Sequence, residues 1–130
     1  MEKTGHGLVL GKFLPPHAGH QHLVQFAQNF AAELTVMVCS LQREPIPGEL
    51  RCHWMGELFP QARVVHFTEE LPQEPSEHPD FWNLWRDAIC RVAGHPIDFV
   101  FASEDYGHRL ALELNAQYIP VDAQREMVPI

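Results

Sequence analysis

Apolar positions along this chain alternate between two periods. Residues 6–13 (HGLVLGKF) form a short apolar run of strand length. Residues 20–31 (HQHLVQFAQNFA) carry Leu23, Phe26, Ala27 and Phe30 at helical spacing. The near-continuous apolar run 34–41 (LTVMVCSL) predicts a strand buried on both faces of a sheet. Residues 47–59 predict a helix with Leu50, Trp54 and Leu58 four apart, and residues 62–68 (ARVVHFT) a third strand. Residues 69–80 hold five acids and three prolines without periodicity, which predicts a surface loop. Residues 80–93 predict a helix with Phe81, Trp85, Ala88, Ile89 and Val92 on one stripe. Strand, helix and strand follow at 97–103, 106–115 and 116–122.

Five strands separated by helices predict an α/β fold: an open, mostly parallel five-stranded sheet with helices on both faces, reached by right-handed crossovers. Such sheets bind ligands outside the carboxyl ends of their strands, where the strand order reverses. The segment GKFLPPHAGH, residues 11–20, falls where the first strand passes into the first helix. Its position favours a binding loop.

Composition narrows the possible partners. The chain has 130 residues, a size suited to one domain with a real core. Hydrophobic residues make up 45% and charged residues 20%, a globular balance. The formal net charge is −8, and no basic face is visible in the sequence, which argues against a nucleic-acid partner. A small anionic ligand needs only a few local donors and stays open. Cys39, Cys52 and Cys90 are odd in number and widely spaced, as expected of reduced thiols in a cytoplasmic protein. We read no signal peptide in the first residues and no run of membrane-spanning length. The sequence allows a homo-oligomer without specifying one.

The histidine-rich stretch supports three readings. In the first, Pro15-Pro16 is a rigid turn, Gly19 starts a helix, and the histidines are simply solvated. In the second, His17, His20 and His22 ligate a metal, although no nearby Asp, Glu or Cys completes a set. The third is a phosphate clamp. The first turn of a helix offers free N–H groups and a positive dipole end, Gly19 permits close backbone approach, His17 and His20 share one side, and Lys12 adds charge.

The stretch resembles the signature of the HxGH nucleotidylyltransferase superfamily in its longer form, G-K/R-F-x-P-x-H-x-G-H. WNLWRDAI (residues 83–89 with Trp82 before them) and the segment from Val100 to Ile130 are similar to nicotinamide-nucleotide adenylyltransferases. The likeness is greatest to the adenylyltransferase domain of bacterial bifunctional adenylyltransferase/ribosylnicotinamide kinases, and it selects the clamp reading. It implies a Rossmann-like fold and transfer of AMP from ATP to nicotinamide mononucleotide (NMN), giving NAD and pyrophosphate, with Mg2+ carried by ATP.

The resemblance also implies residue roles. His17, His20 and Lys12 would act on the phosphates. Gly11, Phe13, Gly19, Ser103, Glu104, Asp122 and Arg125 would bind the nucleotide. Trp85, Asn83 and Trp82 would bind nicotinamide, and no residue is assigned as a metal ligand. Two of these assignments compete with plain structural roles: Trp85 lies on a core stripe, and Ser103 has the character of a helix cap. Arg43 and Arg51 are weaker phosphate candidates, each expected to be a solvated surface residue. The second signature of the family, I-S-x-T-x-x-R, begins at the position of Ile130, so a domain spanning 1–130 is expected to end before it. Two other readings remain: transfer to another phosphate acceptor, as in phosphopantetheine adenylyltransferases, and a nucleotide-binding module without turnover.

Overall fold

A computed structural model describes residues 3–93 and 96–121. The described chain alternates strands and helices as β1 (Thr4–Gly11), α1 (Ala18–Phe30), β2 (Ala31–Cys39), α2 (Gly48–Leu58), β3 (Arg63–Phe67), α3 (Phe81–Ala93), β4 (Phe99–Ala102), α4 (Tyr106–Glu113) and β5 (Gln117–Pro120). A 3-10 turn, Pro75–Glu77, interrupts the acidic loop before α3. The strands form one sheet in the order β3-β2-β1-β4-β5, and every pairing is parallel. The expected α/β sheet is therefore present and wholly parallel.

The continuous apolar runs are explained by cover on both faces. Along β1, Leu8 packs among Phe81, Ile89 and Leu110, whereas Val9 packs among Val24, Ala27 and Met55. Met37 and Val36 on β2 divide in the same way, as do Val100 and Phe101 on β4. Adjacent side chains on a strand point to opposite faces, so both must be apolar when helices lie above and below. Helices α1 and α2 serve one face, α3 and α4 the other.

Helix α2 departs from expectation. Its buried residues are Arg51 and Met55, while Leu50 and Leu58 are exposed. The stripe of Leu50, Trp54 and Leu58 is thus not the core-facing one. The helix is rotated so that a fully buried arginine points inward, which a polarity pattern cannot anticipate. On α1 the core takes Leu23, Val24 and Ala27, and Phe26 and Phe30 stand partly exposed beside Phe99 and Phe101. Strand order reverses between β1 and β4, each of which pairs with its neighbour on the outer side. The connections leaving these two strands frame a crevice at that point.

Candidate functional site

A cavity of about 590 Å³ opens at the carboxyl ends of β1 and β4, within the usual range for small-molecule sites. One edge is Lys12, His17 and His20; the opposite wall is Phe81, Trp82 and Trp85; Ser103 and Glu104 close the β4 side. Gly11 and Phe13 also line it.

The turn out of β1 has a built geometry. Phe13 takes a left-handed conformation at φ 52°, which costs a residue with a Cβ about 1–2 kcal/mol. Its ring is buried, with its centroid 4.7 Å from that of His20 in an edge-on contact. A Cβ on Gly11 would stand 3.1 Å from the tip of that ring. Gly11 therefore makes room for Phe13 to fold back, and Phe13 in turn supports His20.

His17 and His20 cap α1 reciprocally. Gly19 N–H donates to Nδ1 of His17 at 3.0 Å, and His17 N–H donates to Nδ1 of His20 at 3.1 Å. The two rings stack with centroids 3.7 Å apart. Both Nδ1 atoms are acceptors, so each ring carries its proton on Nε2, leaving Nε2–H free to donate to an anion. The Gly19 N–H, one of the first-turn donors of α1, is occupied by the cap. Burial, then the neighbouring His17, lower the pKa of His20 to about 4.

That shift predicts a pH dependence. A histidine kept neutral in the fold contributes stability above its unfolded value near 6.5, and the contribution is lost as pH falls through about 4. A proton NMR titration of the free protein should place the His20 midpoint well below 6. A midpoint near 6.5 would show that the ring is not held as described.

His22 does not share the cavity with this pair. Among the described residues, no three of His, Cys, Asp and Glu are grouped to hold a metal ion.

Lys12 is not a free cation. Its Nζ pairs with Oε2 of Glu44, whose other oxygen accepts from Leu41 N–H and from Nη2 of Arg51, both at 2.8 Å. Arg51 is fully buried and also donates to the carbonyls of Lys12 and Ile46, at 2.8 and 3.1 Å. This corrects the expectation of a solvated Arg51. A buried guanidinium requires a carboxylate and carbonyl acceptors, and this one has both. Burial alone would raise the pKa of Glu44, but hydrogen bonds from Lys12, Leu41 N–H and Arg51 outweigh it and hold the value at about 2. Arg43 is the solvated residue expected, with only a loose pairing to Glu70.

The aromatic wall separates the three nicotinamide candidates. Trp85 is 9% exposed, packs among Phe67 and Phe81, and donates its indole N–H to the Pro72 carbonyl at 2.8 Å. It is a core residue that shows an edge to the cavity. Trp82 is half-buried, lines the cavity, and has the Arg109 guanidinium 5.0 Å from its ring centroid. Asn83 is exposed and does not line the cavity, so the structure does not bring it to the other two. Successive helix positions diverge by about a quarter turn or more, and the face of α3 carrying Phe81 and Trp85 turns Asn83 away.

Ser103 is not the cap of α4: Asp105 holds that position and makes no side-chain cap bond. Asp122 and Arg125 lie outside the described residues.

No family model matches the chain. Over 99% of its length it is 26% identical to the trifunctional NAD biosynthesis/regulator protein NadR of Escherichia coli, covering 35% of that protein. Its fold matches a crystal structure of NadR protein in complex with NAD and AMP-PNP at a TM-score of 0.68, with 19% identity, over 91% of this chain and 37% of the other. A bifunctional NMN adenylyltransferase/ADP ribose pyrophosphatase from Francisella tularensis, complexed with AMP and a manganese ion, matches at a TM-score of 0.66, with 19% identity, over 92% of this chain and 37% of that one. The chain spans about a third of the length of the curated relatives it matches.

Residues 11–20 form the β1–α1 turn, and its neighbours include residues that sequence reasoning missed. Tyr106 lines the cavity floor and donates its hydroxyl to the Leu10 carbonyl at 3.0 Å, tying α4 to the end of β1. Burial pushes its pKa upward, so it is a fixed donor rather than an acid. Gln73 brings the acidic loop to the cavity rim. Glu44 lies in the loop ahead of α2, seven residues before Arg51, where no helical spacing marks it. Nothing in the linear pattern joins it to Lys12.

Proposed function

We propose that the chain binds ATP and NMN side by side and transfers AMP from one to the other, forming NAD and pyrophosphate. The observation that carries this reading is a single cavity with a His17–His20–Lys12 edge for phosphates facing an aromatic wall for a flat ring. The family resemblance and the NAD-linked names of the similar proteins point the same way. A cytoplasmic location accompanies the reading, and Cys39, Cys52 and Cys90 are all free thiols. Among the described residues no helix is long and apolar enough to cross a membrane.

An oxygen of the NMN phosphate would attack the α-phosphorus of ATP in line. The bond from that phosphorus to the oxygen bridging to the β-phosphate breaks, and its electron pair leaves with pyrophosphate. The nucleophile is already anionic near pH 7, so no protein base is needed. Catalysis reduces to alignment and charge stabilisation, and alignment alone can supply ~7–11 kcal/mol of the barrier. Nε2–H of His17 and of His20 would donate to phosphate oxygens as negative charge builds on the leaving group. Lys12 would add a point charge beside them.

Magnesium would neutralise the triphosphate, with phosphate oxygens and water supplying most of its ligands. This fits a cavity edge of two Nε2–H donors and an ammonium, none of which is a cation ligand in that state. On the aromatic wall, the pyridinium ring would lie against Trp82 with the edge of Trp85 beneath it, a favourable meeting of a cation with an indole face.

The test is direct. The chain incubated with ATP, NMN and magnesium should form NAD and pyrophosphate in equal amounts. Binding of both ligands by calorimetry without NAD formation would identify a binding module instead. If neither ligand binds, the reading fails.

A further inference from the structure

Lys12, Glu44 and Arg51 come from three separate segments: the end of β1, the loop after β2, and α2. Arg51 binds the backbone of Lys12 through its carbonyl, and Glu44 binds the side chain of the same residue. The charge balance gives this arrangement a direction. Arg51 and Glu44 neutralise each other inside the protein, with the arginine fully buried and the Glu44 side chain 9% exposed. Lys12 is left as the surplus positive charge, and its side chain is 40% exposed at the cavity edge. An ammonium has three N–H donors, and one is directed at Glu44, leaving the others for a ligand.

We propose that Glu44 is a positioning residue that presents the Lys12 ammonium to the phosphates of a bound nucleotide. The inference rests on the phosphate-binding reading of the cavity and assigns Glu44 no contact with the ligand. Arg51 fixes where the Lys12 stem begins and Glu44 fixes where it ends. A lysine stem is flexible, and ordering it before the ligand arrives removes that cost from binding. Glu44 is suited to the task because its charge is stable: with the carboxyl held near 2, it stays ionised at any pH where the protein is used.

The experiment is a double-mutant cycle read by calorimetric titration with inorganic triphosphate, which needs no catalysis. Triphosphate binding to the parent chain tests the cavity reading by itself; no binding there would fail that reading. With binding established, Glu44→Gln should weaken it about 3- to 10-fold, the size expected from leaving one flexible side chain unordered. In a Lys12→Ala background the same Glu44→Gln change should have no further effect. An equal effect in both backgrounds would mean that Glu44 acts only through general stability, and the proposal falls. Tighter binding by Glu44→Gln would mean that Glu44 competes with the ligand for Lys12, and the proposal also falls.

A second measurement avoids reliance on a folded variant. The chain has only two lysines, Lys3 and Lys12. In the free parent protein, the ε-methylene protons of Lys12 should be distinct and its stem rigid by NMR relaxation, whereas Lys3 is held only by an exposed bond from its Nζ to the Gln28 carbonyl. A Lys12 stem relaxing as a freely mobile lysine side chain does would overturn the proposal.

Discussion

Replacing His20 with alanine is expected to lower kcat for NAD formation by about 10²–10³, the usual loss for one donor to developing charge. Affinity for NMN should change little, since the aromatic wall is untouched. The substitution also removes the Nδ1 acceptor of the His17 N–H and the edge contact with Phe13. A stability loss of about 0.5–2 kcal/mol, typical of a broken helix cap, should therefore accompany the rate effect. The two are separable: thermal melts report the cap, and kcat on fully folded protein reports the donor. Unchanged turnover with a lowered melting temperature would leave His20 as a capping residue only, and the clamp assignment would fail.

The second large effect is expected at Trp85. Alanine there should cost about 3–5 kcal/mol of stability, as for other large core aromatics. It empties space beside Phe67 and Phe81 and orphans the Pro72 carbonyl. Both ATP and NMN should bind more weakly, because the loop carrying Gln73 loses its tie to α3. Trp82→Ala should behave differently. It should leave the fold nearly as stable, weaken NMN by about 5- to 30-fold through loss of a 1–2 kcal/mol cation–π contact, and spare ATP. NMN should also quench tryptophan fluorescence in the parent and much less in Trp82→Ala. If Trp85→Ala proves stable but loses NMN alone, then Trp85 is the stacking residue and its burial in the free protein is not its bound state.

The alternation of strand and helix was legible because hydrophobic period is a local property. Every predicted element appears, with ends shifted by a few residues, and two-sided burial was readable from the near-continuous apolar run at 34–41. The HxGH stretch was legible for the same reason: its parts are ten consecutive residues, and a strand–helix turn at a sheet end is a local event.

What the sequence could not supply were the pairings between distant segments. Which side of α2 faces inward depended on Arg51 finding Glu44 and the Lys12 carbonyl, the latter 39 residues away, and an arginine reads as exposed until such partners exist. Trp85 and Trp82 are three residues apart and equally aromatic. Only the packing of α3 against Phe67 and the Pro72 loop made one a core residue and left the other half-open beside Arg109. The sequence by itself determined the elements, the two-faced sheet and the position of the β1–α1 turn, because those follow from local periodicity and chain geometry. Tertiary structure alone decided which charges are spent on one another and which remain for a ligand, because burial converts a polar side chain into one that must be paired.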